Sequence, residues 1–305
     1  MNQDQISEEM QVMLRQFKDA PVSEIINALF HAETSEDAAN IYHVLAKKDQ
    51  DSSGHLSQDP EIREVIRSHI PDLLRMSKDA VSPALTLCCR ARLEGLGNAL
   101  VYYISADNYD TAINATVFFR SVPLNDEEKT NIRIALESML DQRLLYQQTY
   151  EKEVPKHELN VILNETIISL MYLGVSEGQD LNFLQDRLQQ MDTYALSRVY
   201  SCIYDRIIFH KSKNFQDRFL RKINRELWYN NAVQAINISL QRAETEDDFS
   251  LVYAAPSLLA IINPEEALVF LQEAKSRTSS NFMKYGLGKG IKLAAGYKRN
   301  QRNNS

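Results

Sequence analysis

The residues of this sequence that could do chemistry are its histidines, its cysteines and one glycine-rich segment, and their spacing matches no reactive site. The six histidines are dispersed, and none begins the H-E-x-x-H motif that places two zinc ligands on one face of a helix. The segment YGLGKGIK, residues 285–292, has Gly290 where a phosphate-binding loop needs serine or threonine. We therefore predict no metal site, and we expect these glycines to form a flexible break between the last helix and the C-terminal tail.

The three cysteines, Cys88, Cys89 and Cys202, show no C-x-x-C spacing, and their odd number predicts reduced, buried thiols in a cytosolic protein. Cys88 and Cys89 lie in the apolar segment PALTLCCRARLEG, and burial raises the pKa of a thiol, which disfavours a nucleophilic role. Acidic residues are numerous, but none stands out as a general acid or base. The sequence therefore predicts a protein that is not an enzyme and has no cofactor. The alternative is an active site assembled from distant helices.

The net charge of −7 is unevenly distributed along the chain. Residues 1–61 carry 12 acidic residues against 4 Lys and Arg, whereas the chain from Lys275 onward carries eight Lys and Arg and no acidic residue. The acidic body disfavours nucleic-acid binding. A basic tail at residues 296–305, which contains Tyr297 and Lys298, leaves open an adaptor function toward RNA or acidic surfaces. A solvated, fraying C-terminus is the simpler interpretation of that tail.

Two features of the chain bear on its location. The segment MNQDQISEEM is acidic and polar, unlike a signal peptide. The longest apolar run, LVYAAPSLLAII at residues 251–262, has 12 residues, and a membrane-spanning helix needs about 20. We predict no membrane span and a cytoplasmic protein.

Apolar residues recur at helical spacing along most of the chain. A representative stripe with steps of three and four consists of Ile132, Leu136, Met139, Leu140 and Leu144. Glycine and proline, nine and eight residues in 305, are scarce, which favours long helices joined by short connections. The sequence therefore predicts an all-α fold.

Breaks in this pattern suggest the domain organisation. The segment at 49–60 is a predicted loop, and Pro155 marks a second break at 151–156. We predict an N-terminal helical domain at 1–152, a C-terminal helical domain at 153–295 and the basic tail at 296–305.

A near-constant spacing indicates a repeating unit in the C-terminal half. Four phenylalanines each directly follow an Asn or Asp residue: Phe183, Phe215, Phe249 and Phe282. They are 32, 34 and 33 residues apart. That length holds one helical hairpin, and such hairpins stack because one alone cannot bury its apolar face. We expect stacked antiparallel helical pairs, with an irregular helical bundle as the alternative.

Residues 96–126, LGNALVYYISADNYDTAINATVFFRSVPLND, resemble a tetratricopeptide (TPR) repeat. The L-G-N-A opening, the D-N-Y-D-T-A-I turn and the closing Pro123 follow the order of that family, although its usual tryptophan is absent. The resemblance implies two antiparallel helices, with Gly97 at their close approach and Ala112 where the second packs tightly on the first. Together with the spacing of the phenylalanines, it favours a TPR-like or HEAT-like solenoid.

Such solenoids usually bind proteins, and candidate contact residues combine apolar area with hydrogen-bonding groups. One set lies every four residues along a helix, with a lysine just beyond: Arg198, Cys202, Arg206, His210 and Lys213. A second set follows the two cysteines: Arg90, Arg92, Asn98 and Tyr102. Trp228, the only tryptophan, fits either a core anchor or an exposed contact residue. A solvated helix face is the alternative for both sets.

The low glycine content and the Asn-, Gln- and Ile-rich texture are similar to those of helical effectors, and regulators of effectors, from intracellular bacteria. That resemblance implies a specific enzyme partner that the protein modulates, and delivery into a host cell. We therefore predict a cytoplasmic, non-enzymatic helical-repeat protein that binds and regulates another protein.

Overall fold

The computed structural model describes residues 8–51, 58–105, 109–149, 156–241 and 246–303. Every regular element in these ranges is helical, which confirms the all-α prediction. The chain forms two compact units, Met1–Met139 and Leu140–Ser305. Of the predicted break at 151–156, residues 151–155 lie outside the described residues, and Lys156 begins a helix.

The first unit is built mainly from short helices, and the ninth crosses the division after Met139. They are α1 (Glu8–Gln16), α2 (Val22–Phe30), α3 (Ser35–Asp51), α4 (Pro60–Ser68), α5 (Ile70–Leu73), α6 (Val81–Arg90), α7 (Gly97–Ile104), α8 (Tyr109–Phe118) and α9 (Asp126–Thr149).

The second unit contains longer helices toward its C-terminal end. They are α10 (Lys156–Val175), α11 (Asn182–Arg187), α12 (Thr193–Tyr204), α13 (Lys213–Lys222), α14 (Arg225–Gln241), α15 (Glu246–Ile262), α16 (Pro264–Arg277) and α17 (Asn281–Asn303). A π-helical turn, Asp205–Phe209, directly follows α12.

The apolar stripe of α9 is buried as its spacing predicts, since Ile132, Leu136, Met139, Leu140 and Leu144 are each at most 6% exposed. This agreement shows why the fold class is legible in the sequence. A stripe at steps of three and four covers one side of a helix, and burial of that side stabilises the fold at roughly 25 cal/mol per Å² of apolar area.

The start of α9 joins two helix N-termini of the first unit. The Asn125 side chain accepts from the Glu128 backbone N–H at 2.9 Å, and the Glu128 carboxylate accepts from the Asn125 N–H at 2.9 Å, which makes a capping box. The same carboxylate accepts from the N–H of Gly97, the first residue of α7, at 3.1 Å. A Cβ at Gly97 would lie 2.4 Å from the Glu128 side chain.

Residues 96–126 do contain a helical hairpin, α7 followed by α8, and Ala112 is fully buried. The atoms nearest to a Cβ at Gly97 belong to Glu128 of α9, and the close approach expected between the two helices of the hairpin stays a prediction. The neighbour comes from the next helix along the chain, which local spacing does not specify.

α15 is the central helix of the second unit. It packs against α12, α14, α16 and α17, and most of its positions are buried. Arg198 of α12 pairs with Asp247 and Tyr204 of α12 with Tyr253, so α12 and α15 run in the same direction. The apolar run at 251–262 is explained by this burial, because most of its side chains pack inside the second unit.

The glycine-rich segment 285–292 is not a break, because it lies within the continuous helix α17. A Cβ at Gly286 would lie 2.7 Å from the carbonyl oxygen of Val252, and one at Gly290 would lie 2.3 Å from the Cβ of Pro256. Pro256 has no N–H to donate to the Val252 carbonyl, and this carbonyl faces Gly286. The missing side chains let α17 approach α15 closely.

The expected fraying tail is likewise part of α17, which extends to Asn303. The Tyr297 hydroxyl donates to the Gln216 side chain at 3.1 Å, and the Lys298 ammonium lies 3.1 Å from the Glu265 carboxylate. These contacts hold the helix against α13 and α16, so a composition typical of tails belongs here to a packed element.

The four evenly spaced phenylalanines all lie in the first turn of alternate helices, α11, α13, α15 and α17. Their surroundings differ, because Phe215 is 9% exposed whereas Phe282 is 68% exposed. α12 and α15 also pack extensively against each other, although α13 and α14 lie between them in the chain. In stacked repeats each pair contacts mainly the next pair. The arrangement as stacked repeats therefore stays a prediction.

Candidate interaction surface

Five aromatic residues and one lysine form a cluster on the second unit. We call this set the aromatic–lysine patch; it consists of Tyr204 of α12, Phe249 and Tyr253 of α15, and Phe282, Tyr285 and Lys289 of α17. α15 and α17 each contribute side chains one turn apart. The close parallel packing of α15 and α17 brings their two rows side by side.

Contacts between rings run across the patch. Phe249 meets the Phe282 ring edge to face with centroids 5.4 Å apart, and it lies 6.1 Å from Tyr253. Tyr253 lies 5.2 Å from Tyr204 and 6.4 Å from Tyr285. Such offset and edge contacts are favourable for aromatic pairs and fix the orientation of the rings.

Lys289 contacts two rings of the patch, those of Tyr253 and Tyr285. Its Nζ donates to the Tyr253 hydroxyl and lies 4.3 Å from the Tyr253 ring centroid and 5.0 Å from that of Tyr285. The Tyr204 hydroxyl donates to the Tyr253 hydroxyl at 3.3 Å. The ammonium is therefore held by two ring faces and a hydroxyl, with no carboxylate among these contacts.

This arrangement shifts the ionisation of the three central groups. The hydrogen bond from Lys289 is the main cause that lowers the pKa of Tyr253, and the same bond raises the pKa of Lys289. Burial is the main cause that raises the pKa of Tyr204. Lys289 is consequently a firmly charged cation and not a poised nucleophile.

The outer face of α17 continues the patch as a stripe. Phe282, Tyr285, Lys289, Lys292 and Arg299 follow one another at spacings that keep them on one side of the helix. Phe282 and Tyr285 are 68% and 57% exposed, and Lys292 and Arg299 are exposed. α17 contains no acidic residue. The stripe offers aromatic area at one end and positive charge toward the other.

The structure separates the first predicted row of contact residues. The i to i+4 row assumes a regular α-helix, but its third member, Arg206, lies in the π-helical turn Asp205–Phe209 and its fourth, His210, directly follows that turn. Arg198 is two-thirds buried, stacks on Tyr194 at 4.7 Å and lies 4.0 Å from Asp247, while Cys202 is partly buried. Arg198 therefore packs between α12 and α15, and Cys202 is withdrawn in part from solvent.

The remainder of that row is exposed. Arg206 and Lys213 are exposed, and the His210 ring nitrogen lies 3.9 Å from the Asp205 carboxylate. Phe209 between them is 70% exposed. Lys211 follows with a φ of 49°, which turns the chain into α13. These residues form a mixed polar and aromatic turn.

The second predicted row lies in the first unit. The Arg90 guanidinium donates to the Tyr42 hydroxyl at 3.0 Å, and Arg92 is exposed with a φ of 49° in the turn after α6. Asn98 and Tyr102 are exposed one turn apart on α7, and Tyr102 is 46% exposed. Among the described residues, no hydrogen bond or ion pair joins Arg90 or Arg92 to this helix.

Trp228 belongs to the core. It is fully buried, its ring packs edge to face on Phe219 at 5.3 Å, and its indole N–H donates to the Gln185 side chain at 3.0 Å. The interpretation of Trp228 as an exposed contact residue is therefore wrong. Its apolar area and single donor are both satisfied internally.

The cysteines are in the reduced form. Cys88 and Cys89 are buried, and burial raises the pKa of both thiols, that of Cys89 to about 12. Cys202 is partly exposed, unlike the expectation for it. In the part of the chain that the structure describes, no cluster of His, Cys, Asp or Glu could hold a metal ion, and no helix is long and apolar enough to cross a membrane.

The sequence interpretation missed the centre of the patch. Phe249 and Phe282 entered only as markers of a repeat, and Tyr285 and Lys289 fell in the supposed break. A detectable signal was the helical spacing of Phe282, Tyr285 and Lys289 in a segment without acids. Their meeting with Tyr204 and Tyr253 required the packing of three helices, which one sequence does not show.

Comparison with known proteins finds no matching family model, no matching curated protein and no matching solved structure. Function must therefore be argued from the surface itself.

Proposed function

We propose that this protein binds another protein through the aromatic–lysine patch, is not itself an enzyme, and modulates the partner that it binds. The observation that carries the proposal is the exposure of Phe282 and Tyr285, each more than half accessible, beside the charged Lys289. Large apolar side chains exposed together, with a cation among them, are typical of protein interaction sites.

The patch has the physical properties of a binding hot spot. Its rings are oriented by contacts with Phe249 and Tyr253 on the buried helix α15, so binding orders few side chains that were free before. Aromatic side chains account for much of the binding energy at protein interfaces. We infer a partner with an apolar pocket for Phe282 or Tyr285.

The charge of α17 also indicates what kind of surface the partner has. α17 carries no acidic residue, and Lys289, Lys292 and Arg299 lie on the same side as the two exposed rings. An acidic rim on the partner would complement this charge and accelerate association. We therefore favour a partner with an acidic surface around an apolar pocket, consistent with modulation of an enzyme whose own site is acidic.

The test is affinity capture from native cytosol with the tagged chain and with the double variant Phe282→Ala/Tyr285→Ala. Val269→Ala is the matched control, because Val269 is 66% exposed on α16 of the same unit. We expect one main protein partner that the wild type and the Val269→Ala variant retain and the double variant loses. Capture of the same partners by all three proteins would refute the patch as the binding site.

Modulation needs a separate measurement. If the captured partner is an enzyme, its activity should change with an excess of the wild type and not with the double variant. Unchanged activity at saturating wild type would remove the regulatory part of the proposal and leave the binding part.

The basic composition of α17 favours a second candidate function, an adaptor for RNA or acidic surfaces. Contacts to phosphates release counterions, so such binding would weaken steeply with salt and would not need the two exposed rings. Binding of double-stranded RNA that survives Phe282→Ala/Tyr285→Ala but is lost on Lys292→Glu/Arg299→Glu would support it.

A further inference from the structure

A second surface of the C-terminal unit is lined by side-chain amides. A groove of about 270 Å³ runs between α14 and the 3₁₀ turn Leu188–Gln190. Its amide-bearing residues are Gln189, Asn224, Asn230, Asn231 and Gln234. One carboxylate, that of Glu226, also lines it, and no lysine or arginine does. The groove is therefore polar and close to uncharged.

The floor of the groove is rigid. The Tyr200 hydroxyl donates to the Asn231 side-chain oxygen at 2.5 Å, and both residues are buried. The Gln185 side chain accepts from the Trp228 indole at 3.0 Å and from the Asn224 backbone N–H at 2.6 Å. These bonds fix the wall of the groove to the core of the unit.

The rim is different, because its amides have no internal partners. Gln189, Asn230 and Gln234 are exposed, and their side chains make no hydrogen bond to any residue that the structure describes. Asparagine is also a poor helix former compared with alanine, lysine or glutamate. Helix stability alone therefore does not explain Asn230 on the open side of α14.

We propose that this groove binds an extended peptide segment through its main chain. Each amide offers one acceptor and two donors, which matches the paired C=O and N–H groups of a peptide backbone. Residues four apart on a helix, as Asn230 and Gln234 are, have Cβ atoms about 5–6 Å apart. An extended chain repeats its orientation every two residues, about 6.6 Å, so both amides reach equivalent backbone groups.

The lining also indicates what the groove excludes. Phosphate ligands need cations or clustered backbone N–H groups, and the groove has one carboxylate and no cation. Main-chain binding by neutral amides instead tolerates many side-chain sequences. This site shares no residue with the aromatic–lysine patch and does not depend on the function proposed for that patch.

The probe is a set of 12-residue peptides selected from a random displayed library against the wild-type protein, then synthesised with a fluorescent label. Their Kd is measured by anisotropy against the wild type, against Asn230→Ala/Gln234→Ala and against Phe282→Ala/Tyr285→Ala. Alanine favours the helix, so the amide variant is expected to fold at least as well as the wild type. Circular dichroism checks that its helicity is retained.

We expect the amide variant to weaken binding at least about 10-fold, as loss of hydrogen bonds worth 1.4 kcal/mol would do, while the patch variant binds like the wild type. Methylation of alternate backbone nitrogens of the peptide should weaken binding to the wild type similarly. The proposal is overturned if the library yields no binder, if the amide variant binds equally well, or if methylation at every backbone position is tolerated.

Discussion

At the scale of single residues, Lys289 decides the character of the patch. Its hydrogen bond to Tyr253 is the main reason why the pKa of that tyrosine is lowered and its own is raised. A group with a lowered native pKa stabilises the fold above its unfolded pKa, and this contribution is lost as pH falls through the native pKa. For Lys289 the sign is reversed: its contribution is complete below its unfolded pKa and is lost as pH rises through the raised one.

We predict that Lys289→Met raises the pKa of Tyr253, because the apolar side chain keeps the packing and removes the cation. The measurement is a tyrosinate absorbance titration of the folded protein, in which the wild type has an early-titrating tyrosine that the variant lacks. Tyr253→Phe is the control, since it should remove the same early component while Lys289 is present. An unchanged early component in Tyr253→Phe would assign it to another tyrosine.

At the scale of elements, the close contact between α15 and α17 requires glycine, without a side chain, at two positions of α17. Glycine inside a helix costs about 1 kcal/mol relative to alanine, so Gly286 and Gly290 are unfavourable for α17 by itself. Close packing offsets this cost, because any Cβ would meet the Val252 carbonyl or the Pro256 ring. The aromatic–lysine patch depends on the same close packing, because Phe282, Tyr285 and Lys289 lie on α17.

We therefore predict that Gly290→Ala destabilises the protein by about 1–3 kcal/mol, because overpacking exceeds the gain in helix propensity. Gly296→Ala is the matched control: a Cβ there meets nothing within 4 Å, and the variant should be more stable by about 0.5–1 kcal/mol. Denaturant unfolding of both variants measures the two shifts. Equal stabilisation by both would show that α17 is not closely packed at Gly290.

Helices α9 and α17 show which parts of the fold and of the patch can be predicted from the sequence. Apolar spacing predicted helices and their buried stripes, as in α9, because the helical period alone determines which residues share one side of a helix. Glycine content predicted a break at 285–292, and this was wrong because a neighbouring helix, not the local sequence, determines what glycine does there. Phe282 and Tyr285 could have been recognised from their spacing, but Tyr204 and Tyr253 join them only through packing between helices distant in sequence.

At the scale of the whole molecule, each compact unit carries its own thiol reporter. Cys88 and Cys89 are buried in the first unit with raised pKa values, and Cys202 is partly exposed in the second. The reactive species is the thiolate, so the buried pair should react with an alkylating reagent only when the first unit opens. Labelling of these two cysteines against denaturant therefore measures the stability of that unit.

Glu128 offers a way to move that transition. Its carboxylate caps α9 and accepts from the buried N–H of Gly97, so Glu128→Ala loses a cap and leaves a buried donor unsatisfied. We predict a loss of about 1–3 kcal/mol, seen as labelling of Cys88 and Cys89 at lower denaturant concentration. Glu127→Ala, an exposed acid in the same turn, should leave the labelling curve nearly unchanged. If both variants shift it equally, charge at the start of α9 matters and the bond to Gly97 does not. A shift confined to Glu128→Ala would show that this carboxylate, which is hydrogen-bonded at the starts of α7 and α9, stabilises the first unit against the opening that exposes Cys88 and Cys89.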